Sequence, residues 1–167
     1  HDQPRAATKY LKEAAENPSA VKMLAAMYFF LRGTPFIYQG QELGMVNFER
    51  QSPELFNDIS SIDQYQRSLE EGLDPDEALR IVNLRSRDNA RTPMQWDDTA
   101  QAGFTEGTPW LGVNPNYTWL NAREQAGRGD SVLSFYKQLI KLRHTMDILV
   151  YGTYRLLLEE SGSVYAY

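Results

Sequence analysis

Arg87-Asp88-Asn89-Ala90-Arg91-Thr92-Pro93-Met94-Gln95-Trp96-Asp97-Asp98 is the stretch on which the reading of this chain turns. Its twelve residues hold two Arg, three Asp, an Asn, a Gln and a Trp, with only Ala, Thr, Pro and Met between them. Pro93 pushes Thr92 out of the α region, so a helix cannot run on through the segment. A segment that is not helix, yet carries so many donors and acceptors of fixed geometry, reads as a binding loop. Guanidinium forks pair bidentately with carboxylates, and an indole face suits a flat, weakly polar ligand such as a sugar ring. A solvated charged loop is the plainer alternative, and composition alone does not choose between the two.

Working outward, no clean period appears from Arg87 to Gly129, while Gly, Pro, Asn and Trp recur. A structureless connection of that length inside a compact domain is either functional or a sign that an element has been assigned wrongly. Phe104, Trp110, Tyr117 and Trp119 are expected to pack the loop on itself, and Trp96 to face a ligand. Asp130 is expected to cap an amphipathic helix with Val132, Phe135, Tyr136, Leu139, Ile140 and Arg143 on one face. Ile148–Tyr151 and Thr153–Leu158 read as strands, and Gly162 turns the chain toward a further strand at Val164–Tyr167.

On the upstream side two short helices are expected. Ser61 and Gln64 form a capping box, as do Asp74 and Glu77 around Pro75. Ala78, Ile81, Val82 and Arg85 share a face. Earlier, Asn17 and Pro18 open a helix that is apolar on nearly all sides from Val21 to Leu31, which expects burial on more than one side. Gly33 closes it, Pro35 prevents continuation, and Phe36-Ile37-Tyr38 reads as a buried parallel strand. Helix, tight turn and buried strand make one repeat of an α/β barrel. Glu42 is expected to hydrogen-bond within the loop that leaves this strand. His1-Asp2-Gln3-Pro4-Arg5 gathers an imidazole, a carboxylate and a guanidinium at the start.

The 167 residues suffice for a domain with a real core, and 42% hydrophobic with 23% charged residues is ordinary for a globular protein. A formal charge of −5 and a pI near 5.1 argue against nucleic acid or an acidic membrane surface as partner. With no Cys there are no disulfides or thiolate metal sites, which fits a reducing compartment and a cytoplasmic location. His1 and His144 are the only imidazoles, so no metal site is expected, and no cofactor is needed. The longest apolar run, Met23 to Leu31, falls far short of the roughly 20 residues of a membrane span.

The string RDNARTPMQW at 87–96 resembles the signature of the α-glucosidase branch of the α-amylase superfamily, glycoside hydrolase family thirteen. His1-Asp2-Gln3-Pro4-Arg5 resembles the family's fourth sequence block, Gly33-Thr34-Pro35-Phe36-Ile37-Tyr38-Gln39-Gly40 its eighth barrel strand, and Asn114-Pro115-Asn116-Tyr117 a later loop. The oligo-1,6-glucosidases are the group most resembled. The resemblance implies an α/β fold: the C-terminal portion of a (β/α)8 TIM barrel, from the end of strand 7 to helix 8 over residues 1–146. Residues 147–167 would then begin a C-terminal β-sandwich. The chain opens without Met and inside a motif, so it is read as an internal piece of a longer enzyme.

By the same resemblance, Asp2 is the third catalytic carboxylate, which holds the sugar hydroxyls and neither attacks nor donates a proton. His1, Arg87, Arg91 and Trp96 would bind substrate, with Arg87 gripping the 4-hydroxyl of the innermost sugar beside an upstream Asp. The nucleophile and acid/base belong to earlier barrel strands, so the rest of the barrel is required for activity. The implied activity is retaining, exo-acting hydrolysis of short α-glucosides, α-1,6 or α-1,4. Ser60 stands where relatives carry a Glu on the acceptor side, which puts α-1,6 preference in question. Two alternatives stay open: a trehalose synthase or sucrose isomerase-type transglucosylase, and a non-catalytic amylase-fold subunit of an amino-acid transporter. Asp2 and Arg87 together, with no Cys, favour the enzyme.

Overall fold

The computed structural model describes residues 1–167, and its regular structure is helical. A short helix, α1 (Ala6–Leu11), leads through a 3-10 turn into α2 (Pro18–Phe29). Asn17 starts α2 as its residue type suggests: its side chain accepts from the amides of Ser19 and Ala20, and Pro18 fills the first turn.

Helix α2 buries only one face. Val21, Ala25 and Phe29 pack with Val132, Tyr136 and Leu139 of the long helix Val132–Thr145, together with Ala7, Ala15 and Val46. The Phe29 and Tyr136 rings meet edge to face with centroids 5.7 Å apart. Met23 and Met27 remain exposed, so the expectation of burial on two sides is not met: α1 and the long helix approach the same side. Arg143, expected as a face residue, instead donates to the carbonyls of Phe29, Leu31 and Gly33. It thereby satisfies carbonyls that the end of α2 leaves open and places a cation at the negative end of that helix.

The expected strand Phe36–Tyr38 does not form. Phe36 is 85% exposed, and no neighbouring strand offers the amides and carbonyls that a parallel ladder needs. The loop that follows is a 3-10 turn at Gln41–Leu43, bracketed by Gly40 and Gly44 in left-handed conformation. Glu42 is not the residue that ties it. Its Oε2 is buried with no partner, while Gln41 accepts from the amide of Tyr38 and donates to the Tyr28 hydroxyl.

Helices α3 (Ile59–Glu70) and α4 (Pro75–Arg85) form an antiparallel pair. The amides of Gly72 and Leu73 return to Leu69 and Ser68, a closing turn that needs the positive φ of +87° at Gly72. Asp74 caps α4 by accepting from Asp76 and Glu77. The cap expected at Ser61 lies three residues earlier: Asp58 is the boundary residue of α3, and Ser61 is its internal partner. On α4 the inward face is Ala78, Val82 and Asn83, with Arg85 exposed. Asn83 accepts from the amide of Arg50 and donates to its carbonyl, both at 2.8 Å, and so imitates a paired strand.

Beyond α4 come a single turn, α5 (Asp88–Arg91), then α6 (Ala122–Ala126), the long helix α7 (Val132–Thr145) and a last turn, α8 (Ile148–Tyr151). Ser131, not Asp130, caps α7, accepting from the amide of Ser134. Ile148–Tyr151 is helical rather than extended. Of the two strands expected after it, only one antiparallel bridge, Leu157 with Ala166, forms. Three of the four loop aromatics do not pack inward: Phe104, Trp110 and Trp119 are exposed while Tyr117 is half-buried, and the loop is filled by Ala102, Leu111, Asn114, Leu120 and Asn121. No helix is long and apolar enough to cross a membrane.

Candidate functional site

The twelve-residue stretch divides by depth. Asp88, Asn89 and Gln95 are fully buried, whereas Arg87 and Arg91 are partly open. Asp88 Oδ2 accepts from the amides of Asn57 and Asp58 at 2.7 and 3.0 Å. Asn89 Oδ1 accepts from the Phe48 amide and from Arg50 Nη1, while its Nδ2 donates to the Asn83 carbonyl. Gln95 donates to Asn116 Oδ1 and to the carbonyl of Leu120. These side chains hold three loops largely by their backbones, because buried polar groups draw hydrogen bonds and loop backbone supplies the partners, although Asp88 Oδ1 and Gln95 Oε1 stay buried without one.

Arg5 completes this scaffold from the other side. Its guanidinium, almost wholly buried, donates to the carbonyls of Asn89 (3.0 Å) and Gln39 (2.6 Å) and to Thr92 Oγ1 (3.2 Å). Burial among neutral acceptors pushes its pKa down to about 10, against weaker opposing effects of Tyr38 and Glu42. Gly40 permits this approach: a Cβ there would lie 3.0 Å from Arg5 Nη1 and collide with Met45. Arg5 therefore ties the opening motif to the Arg87 stretch.

The consequence is a cluster of charge around Asp2. His1 Nε2 lies 3.3 Å from Asp2 Oδ2, and Arg91 Nη2 and Arg87 Nη1 lie 3.3 and 3.7 Å from Oδ1. Arg91 Nε also donates to the carbonyl of His1. The Asp2 carboxylate is more than half exposed, so the cluster faces outward. Arg87 spends its Nε and Nη2 on Oδ1 of Asp58, a carboxylate only 2% exposed. Burial would raise the pKa of Asp58, but hydrogen bonds from Arg87 and Ser61, with the charge of Arg87, outweigh it and hold it near 2.

Of the residues singled out in the sequence, His1, Asp2, Arg87 and Arg91 thus come together. No hydrogen bond or ion pair joins Trp96 to them; its amide and carbonyl bond Ala102 and Arg123, and its indole is half-exposed. Sequence reasoning missed Asp58, for which its boundary position just before a polar helical pattern was a signal; it named Arg5 in the opening motif but did not foresee its burial as a scaffold residue. A cleft of about 290 Å³ opens beside His1, lined among others by Tyr10, Leu24, Tyr38 and Tyr136. Asp2, Arg87 and Arg91 lie outside its walls, so the charged groups sit on open surface rather than in the apolar cleft. No group of three or more His, Cys, Asp or Glu side chains is placed to hold a metal ion.

A buried polar scaffold presenting an Asp flanked by His and two Arg is the context in which the family can be stated: the chain belongs to the α-amylase catalytic-domain family, whose model matches residues 1–152. It is 46% identical over its whole length to an oligo-1,6-glucosidase of Parageobacillus thermoglucosidasius and 39% identical to a trehalose-6-phosphate hydrolase of Bacillus subtilis, spanning 30% of each. Among solved structures it superposes on a Bacillus licheniformis trehalose-6-phosphate hydrolase with a TM-score of 0.94 at 42% identity. With the isomaltulose synthase of Klebsiella sp. LX3 the values are 0.93 and 44%. In both cases 99% of this chain and 30% of the other are covered. The chain is thus a barrel-derived segment of the α-amylase fold, about a third the length of the relatives it matches.

Proposed function

We propose that this chain forms the Asp2 side of the sugar pocket in a retaining, exo-acting α-glucosidase of short α-glucosides. The observation that supports the reading is the convergence of His1, Arg87 and Arg91 on the Asp2 carboxylate. Oligo-1,6-glucosidases at 41–46% identity are the relatives that support the substrate class. In this reading residues 1–146 run from the end of barrel strand 7 to helix 8, and residues 147–167 open a β-sandwich. Retaining glycosidases use two carboxyls about 5–5.5 Å apart as nucleophile and acid/base. Asp2 is neither of them. It accepts hydrogen bonds from sugar hydroxyls and favours the positive charge that develops on the ring in the transition state. Arg87 and Arg91 orient that carboxylate, His1 and Trp96 line the pocket, and Arg87 closes it behind the 4-hydroxyl.

In the full-length protein, Asp2→Asn is expected to lower kcat about a hundredfold or more with little change in melting temperature. A variant with near-normal kcat removes Asp2 from the site. Exo action is tested with an α-glucan oligomer whose non-reducing 4-hydroxyl is blocked: equal cleavage of blocked and free oligomers means an endo-acting enzyme instead. A second reading, a transglucosylase that passes the glucosyl group to another sugar hydroxyl, draws on the 44% identity to an isomaltulose synthase and on Ser60. Sucrose offered as sole substrate separates the two: glucose and fructose mean hydrolysis, an isomeric disaccharide means transfer.

A further inference from the structure

We infer that Asp58 is a positioning residue of the site, acting through Arg87 on the sugar-facing charge of Asp2. The inference rests on the proposed sugar pocket and extends it to a residue that touches no sugar. Three observations carry it. First, Asp58 is a buried carboxylate that behaves unusually for a helix boundary residue: it makes no capping bond to the α3 backbone. Its two oxygens go elsewhere, Oδ1 to the Nε and Nη2 of Arg87 and Oδ2 to the Ser61 hydroxyl at 2.7 Å.

Second, that grip is itself fixed from behind. The Asp58 amide donates to Asp88 Oδ2, and the Ser61 hydroxyl, whose one proton goes to Asp58 Oδ2, accepts from the Ser86 hydroxyl at 2.9 Å, so backbone and side chain of Asp58 are both held by the segment that carries Arg87. Third, the bonds leave Arg87 with one free edge. Nε and Nη2 are committed, and Nη1 is turned toward Asp2 at 3.7 Å, beyond hydrogen-bond length but within ion-pair range. A guanidinium is planar, so fixing two of its nitrogens fixes the direction of the third. Asp58 therefore decides where the Nη1 donors point, and the gap beside Asp2 leaves them for a hydroxyl. Without Asp58, Arg87 would be drawn to Asp2 directly and would fill that gap with its own ion pair.

The test is a double-mutant cycle in the full-length protein with Asp58→Asn, Arg87→Ala and the pair, alongside Asp58→Ala. The readouts are kcat/KM for p-nitrophenyl α-glucoside, Kd for the glucose-shaped inhibitor 1-deoxynojirimycin, and melting temperature. Asp58→Asn keeps shape and one acceptor but loses the charge, and is expected to lower kcat/KM about tenfold or more. In the Arg87→Ala background the same change is expected to cost nothing further, because its route is gone. Equal losses in both backgrounds, or a lowered melting temperature with kcat/KM intact, overturn the positioning role. If the wild-type protein binds the inhibitor but does not hydrolyse, the hydrolase reading fails while the cycle in Kd still judges Asp58. If it neither binds nor hydrolyses, both readings fall.

Discussion

Two regions of this molecule invert the usual relation between polarity and depth. Asp88, Asn89 and Gln95 are polar and wholly buried, whereas Phe36, Ile148 and Tyr151 are apolar and at least 70% exposed. What separates them is the supply of partners, which is complete for Asn89 and partial for Asp88 and Gln95, each of which keeps one unpartnered oxygen. Around Asn89 lie the Phe48 amide, the Arg50 guanidinium and the Asn83 carbonyl, so desolvation is compensated bond by bond. Around Phe36 no strand lies on either side, and an apolar side chain without a ladder to place it stays in solvent. Burial here follows from which groups the chain can bring to meet each other, and hydrophobicity enters only where a complementary apolar face exists, as between α2 and α7.

The comparison breaks most readily at Asn89. Asn89→Ala leaves the Phe48 amide, Arg50 Nη1 and the Asn83 carbonyl short of a partner, and should cost about 3 kcal/mol or more in urea unfolding. A loss under about 1 kcal/mol would mean that water replaces those bonds and that the buried region is scaffold in appearance only.

A smaller effect comes from Asp58, held near 2 against an ordinary 3.8. Its folded pKa is depressed, so the stability it contributes is complete above about pH 4 and is lost as the pH falls through about 2. The expected loss is on the order of 1–2 kcal/mol, because Arg87 is partly solvated. Melting curves between pH 5 and pH 2 for wild type and Asp58→Asn check it: the variant should show the weaker acid dependence. Parallel curves would mean the ion pair does not persist in solution.

The smallest effect belongs to the exposed region. In the 167-residue chain Phe36→Ser should change stability by no more than about 0.5 kcal/mol, as for any solvated side chain. In the full-length protein, if Phe36 joins the proposed eighth barrel strand, the same substitution should cost about 3 kcal/mol or more. A penalty that is alike in both lengths would remove Phe36 from a barrel core.

The extent to which the molecule was legible beforehand varies along the chain with the range of the interactions involved. Asn17, Pro18, Gly72 and Asp74 do their work within four residues, and all four act where their residue types suggest. Where the competing partner is remote, local signals mislead. Ser61 reads as a cap, yet its hydroxyl serves Asp58 and Ser86, the latter 25 residues away. Arg143 fits the apolar face of α7 by spacing, yet its fork is taken by the end of α2, more than 100 residues earlier.

The sequence by itself determined the family, through strings such as RDNARTPMQW and HDQPR whose order survives without any coordinates, and it determined the helix starts set by local caps. Only the tertiary structure decided which members of those strings face outward. Arg87, just before the single turn α5, and Arg91, its last residue, both reach Asp2, while Asp88 and Asn89 between them turn inward to bind loop backbone. The physical reason is that residue type alone does not set burial: the guanidiniums of Arg5 and Arg50 are buried, while that of Arg87 is partly open. Which of them is desolvated depends on whether an acceptor or donor from a distant segment waits at the other end, and that is a property of the folded chain.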